Sequence, residues 1–117
     1  FMSKTMKIYH NPRCSKSRIT LNLLIENDID PDIFEYLKTP PTNTELKEVI
    51  EMLGIKPFEL IRKGEAVYKE MFKGKSLTDK QWIEAMVKYP KLIERPIVID
   101  GKRARLGRPP EKVLELL

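Results

Sequence analysis

Cysteine is nearly absent from this chain: Cys14 is the single thiol in 117 residues. One thiol cannot close an internal disulfide, which excludes the disulfide-stapled class of small secreted domains and makes the reducing cytoplasm the expected location. It also excludes a cysteine-based zinc site within the chain, and no metal or bound organic cofactor is expected. Histidine is as scarce, with His10 alone, so the choice of nucleophile and titrating neighbour is narrow. No apolar run approaches the roughly 20 residues that a membrane-spanning helix needs, and the N-terminus lacks the basic-then-apolar layout of a secretory signal. A soluble protein with no membrane partner is expected. Internal repeats and low-complexity stretches are missing too. Phe1 precedes Met2, so residues 1–5 are expected to be a disordered or expression-derived leader, and residues 6–117 a single domain.

What is present is enough for one compact core, with 41% apolar residues. Lysine and arginine number 22 against 17 acidic residues, a net charge of +5. That balance favours anionic ligands but is modest for a dedicated nucleic-acid binder, and no nucleic-acid partner is expected. The basic residues are unevenly placed: Lys102, Arg103, Arg105 and Arg108 surround one turn. A local anion site, a nucleic-acid patch or a solvated basic hairpin would each show this cluster.

Residues 6–10 (MKIYH) read as a strand that Asn11-Pro12 interrupts, because this pair disfavours both helix and continued strand. Ile19, Leu21, Leu23 and Leu24 then recur at helical spacing as far as Asn27-Asp28, so a helix starts just after Cys14. Residues 31–36 fit a second short strand. Thr42 with Glu45 three positions later marks the start of a helix over 43–53, closed by Gly54. Residues 56–62 and 65–71 read as two short helical pieces, and Thr78 opens another helix that stops at Pro90. Residues 95–106 read as a hairpin across Asp100-Gly101, and 109–117 as a last helix with proline at its start. The order β-α-β, helical block, β-β-α predicts an α/β fold with a four-stranded mixed sheet, its first pair of strands parallel and its last hairpin antiparallel.

This layout puts Cys14 at or beside a helix N-cap. A free thiol is only a few per cent ionised at neutral pH, so a nucleophilic cysteine needs something to lower its pKa. Unpaired N–H groups and the positive end of the helix dipole would do so, and Arg13, Lys16 and Arg18 add positive potential. His10, ending the strand on the same side, could add a charge if protonated, or a hydrogen bond. A buried, inert cysteine is the plain alternative, but NPRCSKSR is too polar and turn-rich for a core segment. Ser17 stands where a Cys-X-X-Cys protein would carry its resolving thiol, so any redox cycle must borrow its second thiol. Ser15 and Ser17 are placed either to bond a thiolate or oxyanion or to cap the helix. Arg62, Arg95 and Arg108 sit at turns or element ends. Converging guanidinium groups hold tetrahedral oxyanions bidentately, whereas each taken singly is an ordinary surface charge.

Tyr9-His10-Asn11-Pro12-Arg13-Cys14 with Ser17-Arg18, then Leu60-Ile61-Arg62-Lys63, Arg95-Pro96-Ile97-Val98 and Arg108-Pro109, resemble the ordered landmarks of the glutathione/glutaredoxin-coupled arsenate reductase family. The resemblance runs from Met6 to the C-terminus. It implies a thioredoxin-like fold with a helical insertion, a cis peptide before Pro96, Cys14 as the thiolate that attacks arsenate, and His10 as a residue linked to the thiol's low pKa. It assigns oxyanion binding to Arg62, Arg95 and Arg108, to which Ser17 is added as a substrate-binding candidate. Glutathione as co-substrate, glutaredoxin as partner and a monomeric state are the accompanying expectations. An alternative stays open: a redox-responsive regulatory protein of the same fold that binds RNA polymerase or another protein partner. Regulators of that kind commonly carry the Cys-X-X-Cys pair that this chain lacks.

Overall fold

The computed structural model describes residues 6–117; the expected leader, residues 1–5, lies outside the described residues. The chain forms two compact units, one made of the residues up to Thr39 together with Arg95–Leu117, the other of Pro40–Glu94. The helical block is thus inserted between the two halves of the sheet-bearing unit.

In the first unit, β1 (Met6–Tyr9), α1 (Ser15–Glu26) and β2 (Asp32–Phe34) are followed, after the insertion, by β3 (Ile97–Asp100) and β4 (Arg103–Leu106). The strands form a four-stranded sheet in the order β2-β1-β3-β4. The helical crossover through α1 makes β1 and β2 parallel, with Ile8 opposite Ile33. β3 runs antiparallel to β1, with Val98 opposite Ile8, and antiparallel to β4. Alternation along β1 serves both faces of the sheet. Met6 and Ile8 join Leu24, Val98, Val113 and Leu116 in one buried cluster. Tyr9 packs its ring on Phe34 at 4.9 Å and on Tyr36 at 5.9 Å.

Two local expectations are corrected, and the apolar spacing that marks α1 as a helix does not coincide with its buried face. Ile19 does not face the core: it is 53% exposed, and the buried stripe of α1 is Ser17, Thr20 and Leu24. Small polar groups therefore hold the inner face of the helix beside Cys14, and apolar packing begins a turn later. The hairpin loop is Gly101-Lys102 rather than Asp100-Gly101, since Asp100 still pairs with Arg103. Gly101, at φ 60°, supplies the positive dihedral that the first loop position of a type II′ turn requires. The last helix is a 3-10 helix, Pro110–Leu116, rather than an α-helix.

Two arginines of the basic cluster on this hairpin are engaged within the fold. Arg103 bonds the Leu116 carbonyl at 2.9 Å and Asp100 at 3.3 Å, while Arg105 pairs with Glu115 at 2.8 Å. These arginines fasten the C-terminal 3-10 segment to β4, which argues against a basic patch for nucleic acid.

The second unit holds α2 (Asn43–Leu53), a 3-10 turn (Pro57–Leu60), α3 (Ala66–Met71), α4 (Asp79–Lys88) and a second 3-10 turn (Pro90–Leu92). The expected helical piece at 56–62 is only that first turn, after which Ile61 bridges to Ile93. α2 and α4 start on reciprocal capping boxes: the Thr42 hydroxyl accepts the Glu45 N–H at 3.1 Å, and Thr78 accepts that of Gln81 at 3.2 Å. Leu46, Val49, Ile50, Leu60, Trp82 and Met86 are buried in this unit. Trp82 meets the rings of Phe58 and Phe72 at 5.0 and 5.9 Å. No helix among the described residues is long and apolar enough to cross a membrane.

Candidate active site

The turn that carries Cys14 is built by Asn11. Its carbonyl accepts the Cys14 N–H at 3.0 Å, and its side-chain oxygen accepts the Arg13 N–H at 3.1 Å, an Asx turn that pins the chain just before the helix. Arg18 reaches back from α1 and donates to the Pro12 carbonyl at 2.8 Å. Cys14 itself is the N-cap of α1, with extended backbone at φ −93° and ψ 122°. Its thiol is half-buried.

Partial burial pushes the Cys14 thiol up, but opposing effects outweigh it. The Ser17 N–H, the hydrogen bond and charge of Arg95, and the Lys16 N–H all favour the thiolate, so Cys14 titrates below an ordinary thiol. The second and third N–H groups of the helix thus do for sulfur what they do for a capping oxygen. Arg95 comes from the other end of the chain, just before β3, and brings the guanidinium to the same sulfur. Its Nε is buried with no hydrogen-bond partner among the described residues. A buried, unpartnered charged donor costs free energy unless an anion takes it, so this group suits a ligand oxygen.

Arg108 joins Arg95: its Nε donates to the Arg95 carbonyl at 3.0 Å. The Arg95–Pro96 bond is cis, as the resemblance implies, and so is Arg108–Pro109. Between them the Gly107 N–H bonds the Pro96 carbonyl at 2.8 Å. A Cβ on Gly107 would stand 2.8 Å from Pro96 Cγ and 2.9 Å from Thr20 Oγ1, so only glycine fits. Gly107 and Thr20 escape sequence reasoning. The spacing of Thr20 from Ser17 was the one available signal, and it pointed to a helix face rather than to a site.

His10 and Ser17 are brought together, though not in the way expected. Ser17 is fully buried, and its hydroxyl lies 2.6 Å from His10 Nδ1 while accepting the Asn11 N–H at 3.1 Å. The hydroxyl is therefore occupied inside the loop; what Ser17 offers at the sulfur is its backbone N–H. His10 is held by its own N–H on the Phe34 carbonyl at 2.9 Å. Burial pushes its imidazole down, Glu35 pulls it up and Arg18 pushes it down again, leaving it below the ordinary histidine value. A neutral His10 at physiological pH supports Ser17 and the loop rather than supplying a charge.

Arg62 belongs to the second unit. There its Nε lies 3.8 Å from Glu65 and 3.7 Å from Glu94, and its Nη1 is buried without a hydrogen-bond partner among the described residues. Among those residues, no group of three or more His, Cys, Asp or Glu side chains could hold a metal ion.

The ArsC family model matches residues 9–116. The chain is 51% identical over 118 residues to the protein YfgD of Escherichia coli K12, covering 99% of each chain. It is 43% identical to the arsenate reductase of the same organism, over 94% of this chain and 79% of that protein. The solved structure of an arsenate reductase from Vibrio cholerae superposes with a TM-score of 0.96 at 47% identity, covering 99% of this chain and all of that one. The mixed sheet of the first unit is accordingly the thioredoxin-like arrangement. A family match that starts at Tyr9, spans the Cys14 turn and ends at Leu116 takes in both halves of the sheet and the insertion, and the chain belongs to the ArsC family.

Proposed function

We propose that this protein is a glutaredoxin-coupled arsenate reductase that uses the Cys14 thiolate and external glutathione. The observation that supports this most is at one sulfur: Cys14 is shifted toward its thiolate by helix N–H groups and by Arg95, whose buried Nε has no hydrogen-bond partner among the described residues. The thiolate attacks arsenic, a sulfur–arsenic bond forms, and one oxygen takes up protons and leaves as water. Arg95 and Arg108 serve as the positive frame for the remaining oxygens, whose charge a low-dielectric site must match. The oxyanion role of Arg62 rests on the resemblance alone.

Reduction of arsenate to arsenite takes two electrons, and Cys14 supplies half of a disulfide. Glutathione supplies the other half. A sulfur–sulfur bond forms between it and Cys14, the sulfur–arsenic bond breaks, and its electron pair stays on arsenic. The sum is one protein thiol, one glutathione and arsenic acid giving a mixed disulfide, arsenous acid and water. Glutaredoxin then takes the glutathionyl group and restores the thiol. This chemistry asks for no metal or bound cofactor.

A coupled assay of arsenate-dependent glutathione oxidation tests the reading. Turnover that needs glutathione and glutaredoxin, with one glutathione added to wild type and none to Cys14→Ser by intact mass, is the expected result. Full turnover on thioredoxin alone with no adduct would overturn the glutathione route, and no turnover with any thiol would overturn the enzyme.

A further inference from the structure

The turn that ends at Cys14 is also one wall of a groove of about 410 Å³, within the size range of small-molecule sites. Residues 10–13 line this side, and Glu35, Leu37 and Lys38, just beyond β2, line the other. The groove has a distinct chemistry. Arg13 and Lys38 give it two cations, Glu35 gives it one carboxylate, and Leu37, 38% exposed, gives it an apolar side chain. Glu35 and Lys38 meet at 3.3 Å, but Lys38 is 78% exposed, so the pair is weak and either member can turn to a ligand.

Resting on the reading above, we propose that this groove is the docking site of the second thiol, and that it takes a small peptide thiol with separated carboxylates and one ammonium group. The chain has no second cysteine, so every disulfide that Cys14 makes is with a thiol from outside. That thiol must reach the sulfur while the rest of its molecule lies against protein beside the same turn. A γ-glutamyl peptide matches the groove group for group: carboxylates to Arg13 and Lys38, the ammonium to Glu35, the aliphatic stretch over Leu37. An oxyanion of four oxygens matches it poorly, since Glu35 would repel it. The groove thereby separates the two substrates, with arsenate toward Arg95 and the thiol toward Lys38.

Binding is read without arsenate, using S-methylglutathione, which cannot form a disulfide, on the full-length Cys14→Ser protein. Saturable amide shifts concentrated at residues 11–13 and 35–38 are expected. Lys38→Glu, on an exposed side chain, should weaken that binding about tenfold, and Arg13→Glu should do the same. In turnover, Lys38→Glu should raise the KM for glutathione about tenfold and leave the KM for arsenate alone. Shifts centred on Pro96 instead, or an unchanged glutathione KM in Lys38→Glu, would overturn the assignment. Specific binding in a protein that fails to reduce arsenate would overturn the arsenate reading and keep this one; arsenate turnover with no binding in the groove would do the reverse.

Discussion

The Ser17 hydroxyl and the His10 Nδ1 stand 2.6 Å apart, and the same hydroxyl accepts the Asn11 N–H at 3.1 Å. The hydroxyl also carries a proton that it can donate to an unprotonated Nδ1. That direction corresponds to the His10 tautomer with its proton on Nε2, whereas an Nδ1–H tautomer would donate to the serine oxygen instead. One buried hydroxyl ties the end of β1 to the first turn of α1, with Cys14 between them.

Removing that hydroxyl tests the arrangement. Ser17→Ala leaves the Asn11 N–H and Nδ1 unpaired in a buried place, and should cost about 1–3 kcal/mol of stability. Ring nitrogen shifts should show the Nε2–H form in wild type. A wild-type Nδ1–H signal would reverse the direction of the bond.

Cys14 should titrate below the ordinary thiol value of about 8.5, read by thiolate absorbance against pH. Arg95→Ala should raise the transition, because both the hydrogen bond and the charge at the sulfur are lost. Arg95→Lys should restore part of the shift but little arsenate turnover, since an ammonium lacks the planar fork. His10→Ala should move the thiol less than Arg95→Ala. An equal or greater effect would give the imidazole a direct part.

Stability should fall on acidification through the histidine range. Folding depresses the pKa of His10 from its ordinary 6.5, so the native state binds fewer protons there than the unfolded chain. The sign follows: stability is fully present above the unfolded value and declines as pH drops below it toward the folded value. Cys14 contributes in the same sense at higher pH, its depressed pKa adding stability above the unfolded thiol value that is lost as pH falls through the folded one. Denaturant midpoints of wild type and His10→Gln across this range should converge in their pH dependence only if His10 is not the titrating group.

Gly107→Ala should destabilise the first unit by about 1–3 kcal/mol, the usual cost of forcing atoms into a filled space. The added carbon would meet Pro96 Cγ at 2.8 Å and Thr20 Oγ1 at 2.9 Å. Because Pro96 follows Arg95, arsenate turnover should fall as well. The double variant Gly107→Ala, Thr20→Ala, which removes Oγ1, should recover part of the loss relative to Thr20→Ala alone; no recovery would place the clash at Pro96.

Much of this protein is decided locally and was therefore legible in the chain. Thr42 with Glu45, Gly54, and Thr78 followed by Gln81 set helix ends through bonds spanning three or four residues, and the boundaries of α2 follow from them. The turn after β1 and the start of α1 at Cys14 are equally local, since Asn11-Pro12 breaks the strand whatever surrounds it. The order of elements then limits the sheet to the mixed arrangement observed, because a helical crossover makes neighbours parallel and a two-residue loop makes them antiparallel. What the tertiary structure alone decided lies between residues far apart in sequence. Arg95 meets the Cys14 sulfur only because β3 pairs with β1, Gly107 has no room for a side chain only because Pro96 and Thr20 close on it, and Ile19 lies outside while Ser17 and Thr20 lie inside. Periodicity reports that a helix has an apolar side; it does not report that the inner face beside a thiolate is needed for hydroxyls and a histidine. The arginines of the hairpin carry the same lesson, for charge in a sequence has no address until a carbonyl at Leu116 or a carboxylate at Glu115 is folded within reach of it.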